Sequence, residues 1–195
     1  MFLSRDGPLI HDPELLDKLA GFRTEPFEGK VFRCTRMTLD PTAYSTWGGR
    51  WAPKGDIPVL YTSMEPDGAV AELSFHLSQV TPAPSKPIML HTLNVSATQT
   101  LRLIRADLSA LGVDMSRFGE IGYPRTQDIG SAVAFLENDG LIVPSARWEC
   151  ENLILFDDGS LTTKLDPVGI AQSVDWQAWN QRNSHGKPKS PPDSD

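Results

Sequence analysis

The sequence predicts an α+β fold, in which strands and helices share one core without alternating regularly. Segments with strand and helix periodicity are mixed along the chain without the βαβ rhythm of a doubly wound parallel sheet. No GxGxxG phosphate-binding turn follows a predicted strand. The 195 residues, 39% hydrophobic and 22% charged, are enough to bury one core without metal or disulfide support.

The first two predicted elements are a short helix and a strand. The helix lies within "HDPELLDKLAGF", where Asp12 is placed to cap it, Pro13 takes its first position and Gly21 ends it. The strand lies within "GKVFRCTRM", whose side chains alternate between two faces. Arg33 is therefore expected to leave the apolar side of this strand.

A strand and a helix follow the glycine pair Gly48 and Gly49. "IPVLYTS" reads as the strand and contains Tyr61. "SMEPDGAVAELSFHLSQV" reads as a helix that Ser63 is placed to cap, and it contains Glu72 beside a buried apolar stripe.

The second half of the chain predicts further strands and two more helical segments. "IMLHTLNV" and "TLRLI" read as two strands separated by polar turn residues, and "TQDIGSAVAFLENDG" reads as a helix ended by Gly140. "LIVPSARW" follows, and "ENLILFDDGSLTTKL" predicts a hairpin with Asp-Gly-Ser at its centre. Trp176 and Trp179 share one helical face, which is typical of packing or of a partner contact. We expect one domain over residues 1–182 and a disordered tail over 183–195.

Composition and residue spacing exclude several classes of function. The net charge of −7 and the lack of a Lys/Arg cluster argue against direct nucleic-acid binding. No signal-peptide pattern and no run of eighteen apolar residues is found, so we expect a cytoplasmic protein without a membrane segment. Cys34 and Cys150 lack CxxC spacing and the four histidines lack HExxH spacing, so no metal site is expected.

Arg50 is the first candidate functional residue, because it stands between a glycine pair and Trp51. A guanidinium forms bidentate hydrogen bonds with phosphate or carboxylate groups, and glycines before it let a ligand approach the backbone. The alternative interpretation is a surface arginine in a glycine turn.

Three further side chains have chemistry suited to a site. Tyr61 ends a strand, where its ring can stack on a flat ligand, although a half-buried sheet tyrosine is the alternative. Glu72 lies at the rim of the apolar stripe, with Gly68 one turn earlier leaving room for a ligand; a surface pair with His76 is the alternative. No GxSxG surrounds Ser145, which is therefore predicted to be a hydrogen-bond donor rather than a nucleophile.

Together these residues resemble the RES domain family, whose members have a fold like that of ADP-ribosyltransferases, with a mixed sheet core and flanking helices. The resemblance covers about residues 31–157, and Arg50, Tyr61 and Glu72 follow one another at the family's spacing of eleven and eleven. One departure is Ala52, where asparagine commonly follows "GGRW". The segments that carry the resemblance are "VFR" with Arg33, "GGRW" with Arg50 and Trp51, "PVLYTS" with Tyr61, "AVAEL" with Glu72, "TQDIG", and "VPSARWECENLIL" with Ser145 and Asn152.

The resemblance implies a toxin of a type II toxin–antitoxin pair that consumes NAD+ by hydrolysis or phosphorolysis of the nicotinamide–ribose bond. NAD+ is then a substrate and inorganic phosphate a possible co-substrate, with no resident cofactor. The implied partner is a helix-turn-helix antitoxin that forms a hetero-oligomer with the toxin.

The resemblance also implies roles for individual residues. Arg50 would clamp the pyrophosphate of NAD+ with Arg33 as a second cation, and Trp51 would lie beside the bound dinucleotide. Tyr61 would flank the nicotinamide, and Glu72 would stabilise the oxocarbenium-like ribose of the transition state.

Ser145 is implied to orient the nicotinamide ribose or the amide. Arg33 and Arg147 are both candidates to hold a phosphate acceptor. Two alternatives stay open: a transferase that ADP-ribosylates a protein in the same pocket, and a catalytically inactive domain that binds a partner.

Overall fold

The computed structural model describes residues 11–37, 39–157 and 163–183, and these form a mixed α+β structure that confirms the predicted fold class. The strands within these ranges are β1 (Thr24–Arg36), β2 (Val59–Ser63), β3 (Ile88–Arg102), β4 (Gly140–Pro144), β5 (Glu151–Phe156) and β6 (Lys164–Val174). The helices within these ranges are α1 (Pro13–Ala20), α2 (Pro66–Ser78), α3 (Arg105–Ala110), α4 (Pro124–Phe135) and α5 (Trp176–Asn183), with a 3-10 turn at Met115–Arg117.

The described strands form one sheet in the order β1-β2-β5-β4-β3-β6. β1 pairs with β3 as well as with β2. The five strands β1, β2, β5, β4 and β3 therefore form a closed ring of pairings. The β3–β4 pair is parallel, whereas the other pairings are antiparallel. β2, β5 and β4 thus stand side by side, which brings residues distant in sequence to one place.

Side chains of the central strands alternate between two apolar clusters. In β4, Leu141 and Val143 pack into the cluster that α1 and α4 cover, while Ile142 packs into the cluster between β1 and β3. Period-two alternation of this kind is what a sheet buried on both faces requires. Trp176 and Trp179 pack in a third cluster with α2, which confirms their predicted packing role.

Of the two predicted N-caps, the one for α1 is confirmed and the one for α2 is wrong. Asp12 caps α1 by accepting a hydrogen bond from the Glu14 backbone N–H at 3.0 Å, as predicted. Ser63 does not cap α2: the N-cap is Glu65, because Ser63 is still paired with Asn152 as the last residue of β2.

Three predictions for the second half of the chain are corrected. The two strands predicted on either side of a polar turn are one continuous strand, β3. Gly140 does not end a helix, since α4 stops at Phe135 and Gly140 opens β4 opposite Leu155. β5 and β6 form no hairpin with each other, because β6 pairs with β3; the predicted Asp-Gly-Ser turn lies outside the described residues.

The predicted C-terminal tail also lies outside the described residues from position 184 onward, and Asn183 is the last residue of α5. No helix in the described part of the chain is long and apolar enough to span a membrane.

Candidate active site

A cleft of about 270 Å³ opens where β1, β2 and α2 meet the start of β5. It gathers residues from the GGRW loop, from β2, from α2 and from the segment after β4. The predicted site residues that line it are Arg33, Arg50, Trp51, Tyr61 and Glu72.

Glu72 provides the carboxylate of the cleft, and two donors hold one of its oxygens. Ser145 Oγ donates to Glu72 Oε1 at 2.8 Å, and Asn152 Nδ2 donates to the same oxygen at 2.9 Å. No described residue donates a hydrogen bond to Oε2. The carboxylate is therefore fixed by one oxygen, and the other is available to a ligand. The alternative surface pair with His76 is not what positions Glu72.

Ser145 is buried behind Glu72. Its side chain is 1% exposed, and its Oγ accepts hydrogen bonds from the backbone N–H groups of Arg147 at 3.1 Å and Trp148 at 3.2 Å. With both acceptor positions used, the single O–H is directed at Glu72. Ser145 is a hydrogen-bond donor whose acceptor is the Glu72 carboxylate, and its implied contact with the ribose or the amide of a ligand stays a prediction.

The side-chain amide of Asn152 has a hydrogen-bond partner at its nitrogen and none among the described residues at its oxygen. Its Nδ2 holds Glu72, whereas its Oδ1 is buried and has no hydrogen-bond partner among the described residues. Because Asn152 is the second residue of β5 and pairs with Ser63 of β2, the sheet fixes the backbone that carries this side chain.

The GGRW loop is fixed to β2 and α4 by contacts that depend on glycine. Gly48 has a φ of 78°, a conformation that side chains with a Cβ rarely adopt. A Cβ at Gly49 would lie 2.6 Å from the Tyr61 hydroxyl. Gln127 of α4 donates its Nε2 to the Gly49 carbonyl at 2.9 Å. The loop is thereby held against its neighbours, and the side chain of Arg50 is carried into the cleft.

Arg50 is held by aromatic rings and keeps most of its donors free. Its Cζ lies 4.5 Å from the centre of the Tyr123 ring and 4.9 Å from that of Phe118, both within the range of cation–π contacts. Within the described chain its hydrogen bond goes to the Glu120 carbonyl, at 3.4 Å. Burial lowers the pKa of the guanidinium, and the nearby Arg147 lowers it further. An anionic ligand would relieve both effects.

Tyr61 and Trp51 support the loop from beneath. The Tyr61 hydroxyl accepts a hydrogen bond from the Trp51 backbone N–H at 3.1 Å, and burial raises the pKa of Tyr61 to about 12. The Trp51 side chain is 2% exposed and packs in the core. Its ring therefore supports the cleft wall rather than offering a stacking surface.

Arg147 is a second cation close to Glu72, whereas Arg33 already donates hydrogen bonds to two backbone carbonyls. Arg147 donates to the Gly119 carbonyl and hydrogen-bonds the Tyr123 side chain. Burial lowers its pKa, and the Glu72 carboxylate opposes that effect. Arg33 Nη1 instead donates to the carbonyls of Pro41 and Ala43, at 2.7 and 3.0 Å.

The family model for the RES domain matches residues 30–177. The chain belongs to the RES domain family. No curated protein matches the sequence. Among solved structures, the fold is similar to that of a chain in the M. tuberculosis MbcT–MbcA toxin–antitoxin complex, with a TM-score of 0.70, 16% identity, and coverage of 89% of this chain and 98% of that chain.

The RES domain brings its predicted site residues together with one exception. Arg33, Arg50, Tyr61 and Glu72 line one cleft, while Ser145 lies behind it. The space predicted over Gly68 is not available to a ligand, because a Cβ there would collide with Ser63 Oγ and Cys150 Sγ. In the described part of this RES domain, no group of three or more His, Cys, Asp or Glu side chains could hold a metal.

Two residues of the site were not assigned by sequence reasoning. Asn152 lies in a segment that resembles the RES domain, and it holds Glu72; Tyr123 interacts with Arg50 and Arg147. A polar residue directly before the apolar run of β5 was the available signal for Asn152. Tyr123 offered no signal, because its partners lie 73 and 24 positions away in the sequence.

Proposed function

We propose that the protein is the toxin of a toxin–antitoxin pair and that it cleaves the nicotinamide–ribose bond of NAD+. Membership of the RES domain family and the fold shared with a chain of a toxin–antitoxin complex support the biological role. The arrangement of Glu72 in the cleft supports the chemistry.

The position of Glu72 is the observation that carries the proposed reaction. Breaking the glycosidic bond develops positive charge on the ribose, and a carboxylate held beside it stabilises that charge most in the transition state. Ser145 and Asn152 hold Oε1, so Oε2 is oriented in advance without a cost at the moment of reaction. Nicotinamide leaves as a neutral ring, and one carboxylate therefore suffices where glycosidases use two.

Arg50 and Arg147, two of the three arginines that line the cleft, suit the anionic part of this substrate. Arg50 and Arg147 hydrogen-bond the consecutive carbonyls of Glu120 and Gly119, so their guanidinium groups lie near one another. Two like charges in a half-buried cleft are stabilised by an anion between or beside them. Arg50 fits the pyrophosphate, and Arg147, closer in its interactions to Glu72 than Arg33, is the better candidate to hold a phosphate acceptor.

The reaction is tested by incubating the purified protein with NAD+, with and without inorganic phosphate, and measuring nicotinamide and the sugar product. ADP-ribose in both buffers indicates hydrolysis, and ADP-ribose-1''-phosphate formed only with phosphate indicates phosphorolysis. Glu72→Gln should lower the rate by at least about 100-fold. Glu28→Gln, a matched change on the exposed side of β1, should leave the rate unchanged.

A wild-type protein that releases no nicotinamide would contradict the proposed reaction and favour a transferase with a protein acceptor, or a partner-binding domain. The toxin role has its own test: expression without an antitoxin should deplete NAD+ and stop growth, and the Glu72→Gln variant should do neither. Normal growth with an intact NAD+ pool on expression of the wild type would contradict that role.

A further inference from the structure

A second cavity, of about 290 Å³, shares lining residues with the candidate active site. It is formed by segment 112–126, between the end of α3 and the start of α4. Arg50 and Tyr123 line both cavities. The two spaces are therefore neighbours that share a wall made of one guanidinium and one aromatic ring.

The two cavities together have the volume of a pocket for one drug-sized ligand. Pockets that enclose a drug-sized ligand measure about 300–1,000 Å³. The cleft around Glu72 falls just below this range by itself, although a dinucleotide is a large ligand with two nucleosides. The two cavities have nearly equal volumes and together reach the middle of the range.

The lining of the second cavity suits a nucleoside. The half-buried Tyr123 supplies an aromatic ring on which a base can stack, while Phe118 is buried in the core and supports the cavity wall from behind. Asp114 uses Oδ1 to accept hydrogen bonds from Ser116, while no described residue donates a hydrogen bond to its Oδ2. A free carboxylate oxygen is the acceptor that ribose hydroxyls or an exocyclic amine require.

The rim of the second cavity is open. Ile121 lines it and is 64% exposed. Arg117 also lines it and pairs with Glu120 on the exposed face, where such a pair stabilises the fold little. Neither side chain is needed for the core, so both are free to contact a ligand.

We infer that the second cavity binds the nucleoside of the dinucleotide that is remote from the scissile bond, the adenosine half of NAD+. Arg50 then lies at the junction of the cavities, where the pyrophosphate joins the two nucleosides. Among the described residues Arg50 donates one hydrogen bond, to the Glu120 carbonyl, so its other N–H groups are available to a pyrophosphate. This inference rests on the proposed function, since it divides the same substrate between two adjoining spaces.

The test compares NAD+ with nicotinamide mononucleotide, which has the same scissile bond and lacks adenosine. Ile121→Trp fills the rim of the second cavity, and Arg117→Ala removes a contact there. We expect Ile121→Trp to lower kcat/KM for NAD+ about tenfold more than kcat/KM for the mononucleotide, with a smaller shift in the same direction for Arg117→Ala. AMP should inhibit the wild type competitively and Ile121→Trp more weakly.

Matched changes outside the cavity serve as controls: Ile170→Trp on β6, where Ile170 is 95% exposed, and Arg23→Ala in an exposed ion pair. Both should keep the ratio of the two substrates. If Ile121→Trp lowers both substrates equally or neither, or if AMP inhibits both proteins alike, the inference is wrong while the proposed function stands. If the wild type releases nicotinamide from neither NAD+ nor the mononucleotide, the proposed function itself is wrong.

Discussion

The side of the cleft that carries Glu72 and the side that carries Arg50 and Arg147 are held in place by different interactions. On the carboxylate side, Glu72 lies on a helix, Asn152 lies near the start of a strand and Ser145 follows one. Ser145 and Asn152 each donate a hydrogen bond to Glu72, at 2.8 and 2.9 Å. On the arginine side, Arg50 and Arg147 stand on loops and are held by aromatic rings and backbone carbonyls.

This difference separates two tasks. The carboxylate side is complete without a ligand apart from Glu72 Oε2 and the buried Asn152 Oδ1, which suits a group that must already be oriented in the transition state. The arginine side keeps guanidinium donors unused, which suits a group whose partner arrives with the substrate. Changes on the first side should therefore affect kcat, and changes on the second should affect KM.

Ser145→Ala is expected to give the largest effect among the tests of this separation between kcat and KM. The change removes one of the two donors to Glu72 and leaves the backbone N–H groups of Arg147 and Trp148 without their acceptor. We expect kcat for nicotinamide release to fall about 10- to 100-fold, with KM for NAD+ nearly unchanged. Steady-state kinetics check this, with Ser78→Ala on the exposed end of α2 as the control. A rise in KM with kcat preserved would assign Ser145 to substrate binding.

A smaller effect is expected for Arg50→Lys, which keeps the charge but loses the planar fork. Lysine cannot hold a pyrophosphate bidentately and cannot lie flat against Tyr123. KM for NAD+ should rise about five- to tenfold, with kcat changed less. Arg36→Lys, at an exposed position of β1, should change neither constant. A loss confined to kcat would place Arg50 at the reacting bond instead.

Much of the fold was accessible from local signals, and the errors share one cause. The Asp12 cap of α1 and the strand–helix unit that carries Tyr61 and Glu72 depend on neighbouring residues. The polar segment within β3 has the composition of a turn, and the interactions that keep it extended come from a residue distant in the sequence. Asp139 accepts hydrogen bonds from the backbone N–H groups of Thr98 and Gln99 at 2.6 and 2.9 Å, and this keeps the segment extended.

The candidate site shows the same limit. Spacing and family resemblance singled out Arg50, Tyr61 and Glu72, and the structure places them in one cleft. The contact between Glu72 and Ser145 joins residues 73 positions apart, through the pairing of β2 with β5 and of β5 with β4. Sequence alone indicated a donor at Ser145, but it gave no means of choosing between a ligand and a carboxylate as the acceptor.

The smallest expected effect concerns Tyr61, which joins the two sides through the GGRW loop. Its pKa is about 12 in the folded protein and about 10 when exposed, so the folded state keeps a proton that the unfolded state loses over that interval. Stability from the neutral hydroxyl is thus fully present below pH 10 and is lost as the pH rises toward 12. The difference in the free energy of unfolding between wild type and Tyr61→Phe, measured with urea at several pH values, should shrink over this window. A difference that stays constant from pH 9 to about 12 would mean that the hydroxyl ionises alike in both states and that burial does not protect it.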